Sequence, residues 1–303
     1  MRALKEHFLA TTQGLPRAFW MIWAGLLINR LGCFVLAFLA TYLVRERGLD
    51  AAGAGRVVAI YGLGIVLSGP VGGTLADKVG RRGTMLVGLV GGGLSVVALT
   101  LTTSIPVMTG LAFVSGLVGE LYRPAMNAAV ADLVPVADRQ RAYGLVYWAV
   151  NFGLAVGWLL GSALATSGVR ILFFADAITS FACAGLILSQ VPETRPVGLV
   201  HQPVVRGMLR TLGDGPFAVF LALHVVSLVV FCQWQLGLPL DMAAHGLSPS
   251  VYGVLMGVNC VEVVVLQPIL SHRLRHKDAG SMLALMALLL GIGYGVNAFG
   301  GTL

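Results

Sequence analysis

Residues 51–101 read AAGAGRVVAIYGLGIVLSGPVGGTLADKVGRRGTMLVGLVGGGLSVVALTL, and this stretch decides the fold. Two apolar runs, 53–76 and 84–101, flank one short loop that carries Asp77, Lys78, Arg81 and Arg82. Each run is close to the roughly 20 residues that an α-helix needs to cross a hydrocarbon core about 30 Å thick. Lipid offers no partner to backbone N–H and C=O groups, so such runs must be helical. The glycines within them suit membrane helices, where small residues let backbones approach closely.

The same pattern repeats outward. Nine apolar spans are predicted, at 18–44, 53–76, 84–101, 107–134, 142–166, 169–191, 217–242, 251–270 and 281–299. Hydrophobic residues make up 57% of the chain and charged residues 11%, against roughly 25% charged in a soluble domain. The mean hydropathy is +0.87. Such a chain cannot coat a water-facing surface, so the fold class is all-α integral membrane protein. Most connections are short, which implies antiparallel neighbours. The exception is the polar, Pro- and Arg-rich segment 192–216. It predicts a six-helix bundle over 1–191, a linker over 192–216, and a second, three-helix part over 217–303.

The net charge of +7 does not indicate nucleic-acid binding, because the basic residues collect in short loops. With the N-terminus inside, fourteen Lys and Arg fall on the inner side and four (Arg45, Arg47, Arg56, Arg170) on the outer; Arg30 and Arg123 lie within spans, which accounts for all 20. That asymmetry predicts a multi-pass protein of the plasma membrane with a cytoplasmic N-terminus. The polar stretch 1–17 lacks a short apolar region with a cleavage site, so no cleaved signal peptide is predicted. Cys33, Cys183, Cys232 and Cys260 form no CxxC and read as small buried hydrophobes.

A shift of 198 residues superimposes Phe19 on Phe217, Leu49 on Leu247, Gly55 on Gly253 and Pro70 on Pro268, with helix-start signals Asp50 and Ser248 also coincident. Two related six-span halves are the parallel-repeat pattern of one transporter class. By that pattern the second half is expected to continue for three spans beyond Leu303.

The loop sequence Gly73-Thr74-Leu75-Ala76-Asp77-Lys78-Val79-Gly80-Arg81-Arg82 resembles the signature of the major facilitator superfamily, in the inner loop where that family carries it. In it, Gly73 is expected to let two helices pack closely, and Gly80 to take a positive φ and reverse the chain. The resemblance implies that Asp77 latches the inner gate against the start of span eleven, a span the nine predicted here do not reach. Span five adds Gly153, Gly157 and Gly161, spaced by four. It resembles the glycine-rich signature of proton-driven drug antiporters, with Trp158 in place of Pro and Ser162 in place of Gly. Close helix packing is the alternative role for these glycines.

Ionisable groups inside a membrane cost a few kcal/mol and ask for a partner or a function. Arg30 in span one reads as a cavity residue or a partner of Glu120. Glu120 and Arg123 in span four are three apart and share a helix face; they read as a proton carrier with its controlling cation, or as a paired charge that aligns helices. Glu262 in span eight lacks a basic neighbour one turn away and reads as a second proton carrier or a silent protonated group. Asp132 reads as an interface or gate residue, and Asp176 as a solvent-accessible residue in the outer part of span six. His272 and His276 read as a solvated basic loop rather than a metal site. The chain lacks GxxxxGK[ST], HExxH and GxSxG, which removes a phosphate-loop engine and hydrolysis of those types.

The expectation is a non-enzymatic secondary transporter without cofactor or metal. Its partners are a small-molecule substrate, protons and the lipid bilayer. Alternating access with efflux of drug-like compounds or metabolites is the resemblance's implication. A nutrient symporter, or a truncated or partner-dependent membrane protein, remain the alternatives.

Overall fold

A computed structural model of the chain describes residues 14–164, 168–196, 211–234 and 277–300, together with short runs between 238 and 274. The described residues contain helices, turns and extended connections, with no strand among them. They divide into two units, Met1–His201 and Gln202–Leu303.

In the first unit, α1 (Arg17–Leu31) and α2 (Val35–Arg45) together occupy the first predicted span. Helices α3 (Ala51–Lys78) and α4 (Arg81–Leu101) are the second and third. The fourth is shared by α5 (Ile105–Gly119) and α6 (Tyr122–Leu133), and α7 (Arg139–Leu164) and α8 (Val169–Gln190) are the fifth and sixth. In the second unit, α9 (Gly215–Phe231) and α10 (Ala279–Gly300) pack together, with the Tyr294 hydroxyl 3.4 Å from the Phe231 carbonyl. Leu247, Ser248, Gly253, Cys260, Pro268, His272 and His276 lie outside the described residues.

Four segments are long and apolar enough to cross a membrane by length and composition: Ala51–Lys78, Arg81–Leu101, Ile105–Leu133 (α5 and α6 with their break) and Val169–Gln190. Large apolar side chains on them face outward, such as Val66 at 71% and Ile178 at 65% exposure, as a lipid-facing surface requires. Helix starts follow the local chemistry. Asp50 accepts from the Gly53 amide at 2.9 Å and caps α3, and Asp214 accepts from Phe217 at 3.2 Å and caps α9.

Two predicted spans are broken, and this corrects the reading of each as one helix. The break at Glu120–Leu121 has a local cause. A continuous helix would press the ring of Pro124 against the Glu120 carbonyl, four residues back; restarting at Tyr122 places Pro124 in the first turn of α6. The break at Gly32–Phe34 is seated on α8, where the Thr179 side chain fills the space that a Cβ on Gly32 would need.

The first unit has two apolar cores. One gathers Phe19, Ile22 and Leu26 of α1 with Met85, Leu89, Tyr122, Cys183 and Ile187. The other gathers Leu39, Tyr42 and Leu43 of α2 with Val57, Leu99, Met108, Leu172 and Phe173. Between them, along α1–α2, α5–α6 and α8, lie both helix breaks and the polar residues Asn29, Arg30, Glu120, Asp176 and Ser180.

Candidate functional site

The polar layer is built where helices end. Arg30 stands in the last turn of α1 and Glu120 immediately after α5. The cation Arg30 matches the macrodipole of α1, whereas Glu120 favours the N-terminus of α6 but opposes the C-terminus of α5, which leaves it to be compensated by its guanidinium neighbours. Glycines bring the backbones close enough to enclose the layer. A Cβ on Gly92 of α4 would lie 2.6 Å from Gly119 Cα, and one on Gly88 would lie 2.8 Å from the Tyr122 amide nitrogen. On the other side, a Cβ on Gly153 of α7 would lie 2.6 Å from Arg30 Cβ, and one on Gly157 would lie 2.8 Å from the Leu31 carbonyl oxygen. Gly161 continues this face against Phe34 and Phe38. The glycine stripe of span five is therefore the surface on which broken span one rests.

Arg30 is 6% exposed. Its guanidinium donates to the Tyr122 hydroxyl, lies 5.4 Å from the Tyr122 ring centre, and approaches Glu120 to 4.0 Å. One further nitrogen reaches Cys33 Sγ at 3.6 Å. Glu120 turns its other oxygen to Arg123 at 3.2 Å, so one carboxylate lies between two guanidiniums. Arg123 is the outer member of the three, with its side chain 55% exposed. Asn29 donates to Ser180 Oγ at 3.1 Å, tying α1 to α8. These groups line a cavity of about 50 Å³ whose walls include Arg30, Tyr61, Glu120, Tyr122 and Asp176. That volume holds a few waters and is far below the roughly 300–1,000 Å³ of a drug-sized site.

The structure brings Arg30, Glu120 and Arg123 together, the two pairings that the sequence offered as alternatives to cavity or proton-carrier roles. Glu262 is an exposed residue of the second unit, on a short helical run at 261–263. Asp176 is half-buried on the cavity wall, and its Oδ2 accepts from the Phe34 and Val35 amides at 3.0 Å each.

A second cluster surrounds the loop of residues 73–82. Gly80 has φ +112°, which reverses the chain as expected. Arg81 is buried and donates to Asp77 at 2.5 Å and to Asp132 of α6 at 3.1 Å. It also donates to the Ala76 carbonyl at 2.8 Å. The close-packing role expected of Gly73 falls instead to Gly72. A Cβ on Gly73 would meet nothing within 4 Å, whereas one on Gly72 would lie 2.6 Å from Pro124.

Glu193, just past α8, is a capping residue of this cluster that sequence reasoning missed. It accepts from the Arg81 amide at 2.8 Å and the Arg82 amide at 3.2 Å, capping α4, and from the Thr194 and Arg195 amides of its own loop. Burial alone would push this carboxyl up, but the four amide donors outweigh it and hold it below its ordinary value. Arg195 closes the ring on the Lys78 carbonyl at 2.8 Å, and Arg82 donates to the Leu188 carbonyl.

The family model of the Major Facilitator Superfamily matches residues 22–303. The chain belongs to the major facilitator superfamily. This superfamily is one of multi-pass membrane transporters rather than enzymes. Among its relatives is the uncharacterized MFS-type transporter YqjV of Bacillus subtilis, 26% identical over 257 residues, covering 82% of this chain and 62% of that protein. Another is the multidrug resistance protein MdtH of Salmonella typhimurium, 25% identical over 271 residues, covering 86% and 67%. The major facilitator chain described here thus spans about two thirds of these relatives' length. The fold is similar to that of the human organic anion transporter MFSD10, with TM-score 0.67 and 16% identity over 86% of this chain and 73% of that one. It is also similar to the peptide transporter POT crystallised with sulfate, with TM-score 0.56 and 17% identity over 75% and 48%.

Proposed function

We propose that the protein is a secondary active transporter that exports small, partly apolar molecules in exchange for protons. The observation that carries this reading is Glu120, a carboxyl held between Arg30 and Arg123 on the wall of a polar cavity midway along the helices. Ionised, it offsets one of the two positive charges beside it and is shared between both guanidiniums. Taking one proton turns it into a neutral acid and releases the outer cation, Arg123, for other partners. A cavity of about 50 Å³ admits water and protons, not a bulky ligand. The exported molecule needs a broader surface, and α1 and α7 offer one. Trp23 stacks on Trp148 and Trp148 on Phe152, at 5.9 and 4.9 Å between ring centres, flat faces suited to lipophilic cations.

Export is favoured by the relative named a multidrug resistance protein and by the antiporter-like glycine stripe Gly153, Gly157 and Gly161. The loop of Gly73, Asp77, Lys78, Gly80, Arg81 and Arg82 is read as the cytoplasmic gating element, with Arg81 holding Asp77 and Asp132 together across it. The charge asymmetry of the loops supports a cytoplasmic N-terminus in the plasma membrane. Glu262 is kept as a second candidate proton carrier. One proton moved across 100 mV supplies about 2.3 kcal/mol to the cycle.

The test is transport by the complete protein in proteoliposomes, with ethidium as a cationic probe. An imposed pH gradient is expected to drive ethidium against its own gradient, and a protonophore to abolish this. If no cationic or lipophilic probe responds to the pH gradient, proton-coupled export is wrong.

A further inference from the structure

The outer half of span one is tied to span six at both ends by carboxylates. At the start of α2, Asp176 of α8 accepts from the Phe34 and Val35 amides, at 3.0 Å each. Just past its end, Glu46 accepts from the Val169 amide at 2.7 Å, at the start of α8. Each carboxylate thus meets the N-terminus of the other's helix. Between these ends, Tyr42 packs on Phe173 at 4.8 Å between ring centres.

The two ties differ in surroundings. Glu46 is exposed, while Asp176 lines the polar cavity of the membrane interior. A proton is the smallest species that can cancel the charge of a carboxylate on the wall of so small a cavity. An ionised carboxylate is an acceptor only, and its bonds from amides are charge-assisted. Adding one proton converts one oxygen to a donor and weakens those bonds. Phe34 also has the Gly32 carbonyl at 2.8 Å, so Val35 is the amide that depends on Asp176.

We infer that Asp176 is a proton-binding site, distinct from Glu120, whose protonation releases α2 from α8 at the Gly32–Phe34 break. The ionisable groups facing it are Arg30 and Cys33 from span one, Tyr61 from α3 and Glu120 from between α5 and α6. The other ionisable side chains of α2, Tyr42 and Arg45, lie toward its far end, and α4 and α7 present glycines and apolar residues at this level. Arg30 is shared by Asp176 and Glu120, so a proton on either carboxyl alters the field at the other. The use of this switch in a transport cycle rests on the proton-coupled reading above; the switch itself does not.

Cys33 stands in the break and reports on it. The experiment uses the complete protein in nanodiscs with Cys183, Cys232 and Cys260 replaced by Ser. N-ethylmaleimide labelling of Cys33 is followed from about pH 5 to pH 8.5, each rate normalised to the denatured chain at the same pH. The expected result is labelling several-fold faster at the acid end in the parent protein, uniformly fast labelling in Asp176→Asn, and a retained pH dependence in Asp176→Glu. Identical normalised profiles in the parent and Asp176→Asn would overturn the inference. Hydrogen exchange at the Val35 amide, corrected for its intrinsic pH dependence, needs no Asp176 variant. Protection that falls with pH supports the switch, and protection independent of pH overturns it. If the Cys33 profile holds while ethidium ignores the pH gradient, the switch stands and only the transport reading fails. If ethidium responds while the Cys33 profiles coincide, the transport reading stands and the switch fails.

Discussion

Arg30 and Glu120 approach to 4.0 Å at the level where the spans that carry them both break. Both side chains are largely buried, and Glu120 is the acid that compensates Arg30 while also meeting Arg123. Removing Arg30 alone leaves Glu120 with Arg123 as its remaining cation and takes the donor from the Tyr122 hydroxyl. Arg30→Met is therefore expected to cost about 1–3 kcal/mol. Adding Glu120→Gln should recover part of that loss, because the one charge then left, Arg123, is more than half exposed and can be solvated. Thermal unfolding in detergent checks this, and equal losses in the single and double variants would contradict the pairing.

The glycine stripe of α7 makes a size prediction. A Cβ at Gly157 would lie 2.8 Å from the Leu31 carbonyl, a backbone atom that cannot rotate aside. Gly157→Ala should cost about 1–3 kcal/mol by overpacking. Gly73→Ala, with nothing within 4 Å, should stay within about 0.5 kcal/mol. Melting temperatures of the two variants measured side by side decide it.

Glu193 and Gly80 form one device. The φ of +112° disfavours any side chain at Gly80, and a Cβ there would also meet the Glu193 carboxylate. Gly80→Ala should thus cost about 1–3 kcal/mol. Glu193→Gln weakens the cap on α4 and, for so exposed a group, should cost only about 0.5–1 kcal/mol. Because the folded Glu193 titrates below its ordinary value of 4.5, its contribution is complete above that pH and is lost as pH falls through the lower folded value. The stability gap between the native protein and Glu193→Gln should therefore close in acid. A gap that widens in acid would contradict the assignment.

Asp77 is half exposed, so its 2.5 Å pair with Arg81 adds less than about 1 kcal/mol to stability. Asp77→Asn is expected to leave expression and melting nearly unchanged and to cripple ethidium transport. Wild-type rates in this variant would count against a gating role for the loop.

The helices of the first unit and the charged loop were legible because long apolar runs must be helical in lipid and short charged loops punctuate them. The two breaks were not. Gly32, Cys33 and Phe34 are apolar, so hydropathy runs through them, and only the seat against Thr179 reveals the turn. The second break had a readable signal in Pro124, four residues after Glu120, which a straight helix would set against the Glu120 carbonyl. The amide contacts of Asp176 were not legible, because its depth in span six said nothing of the Phe34 and Val35 amides across from it. Glu193 was missed in the polar linker, although Gly80 offers no side-chain acceptor and the first amides of α4 had to find one elsewhere.

Proton coupling through Glu120 is tested most directly by comparing two assays on the complete protein and on Glu120→Gln in proteoliposomes. One is ethidium counterflow without a pH gradient; the other is uphill ethidium movement driven by one. The account predicts that Glu120→Gln keeps counterflow within a few-fold of the native rate and loses gradient-driven accumulation. Accumulation in Glu120→Gln equal to that of the native protein would contradict it.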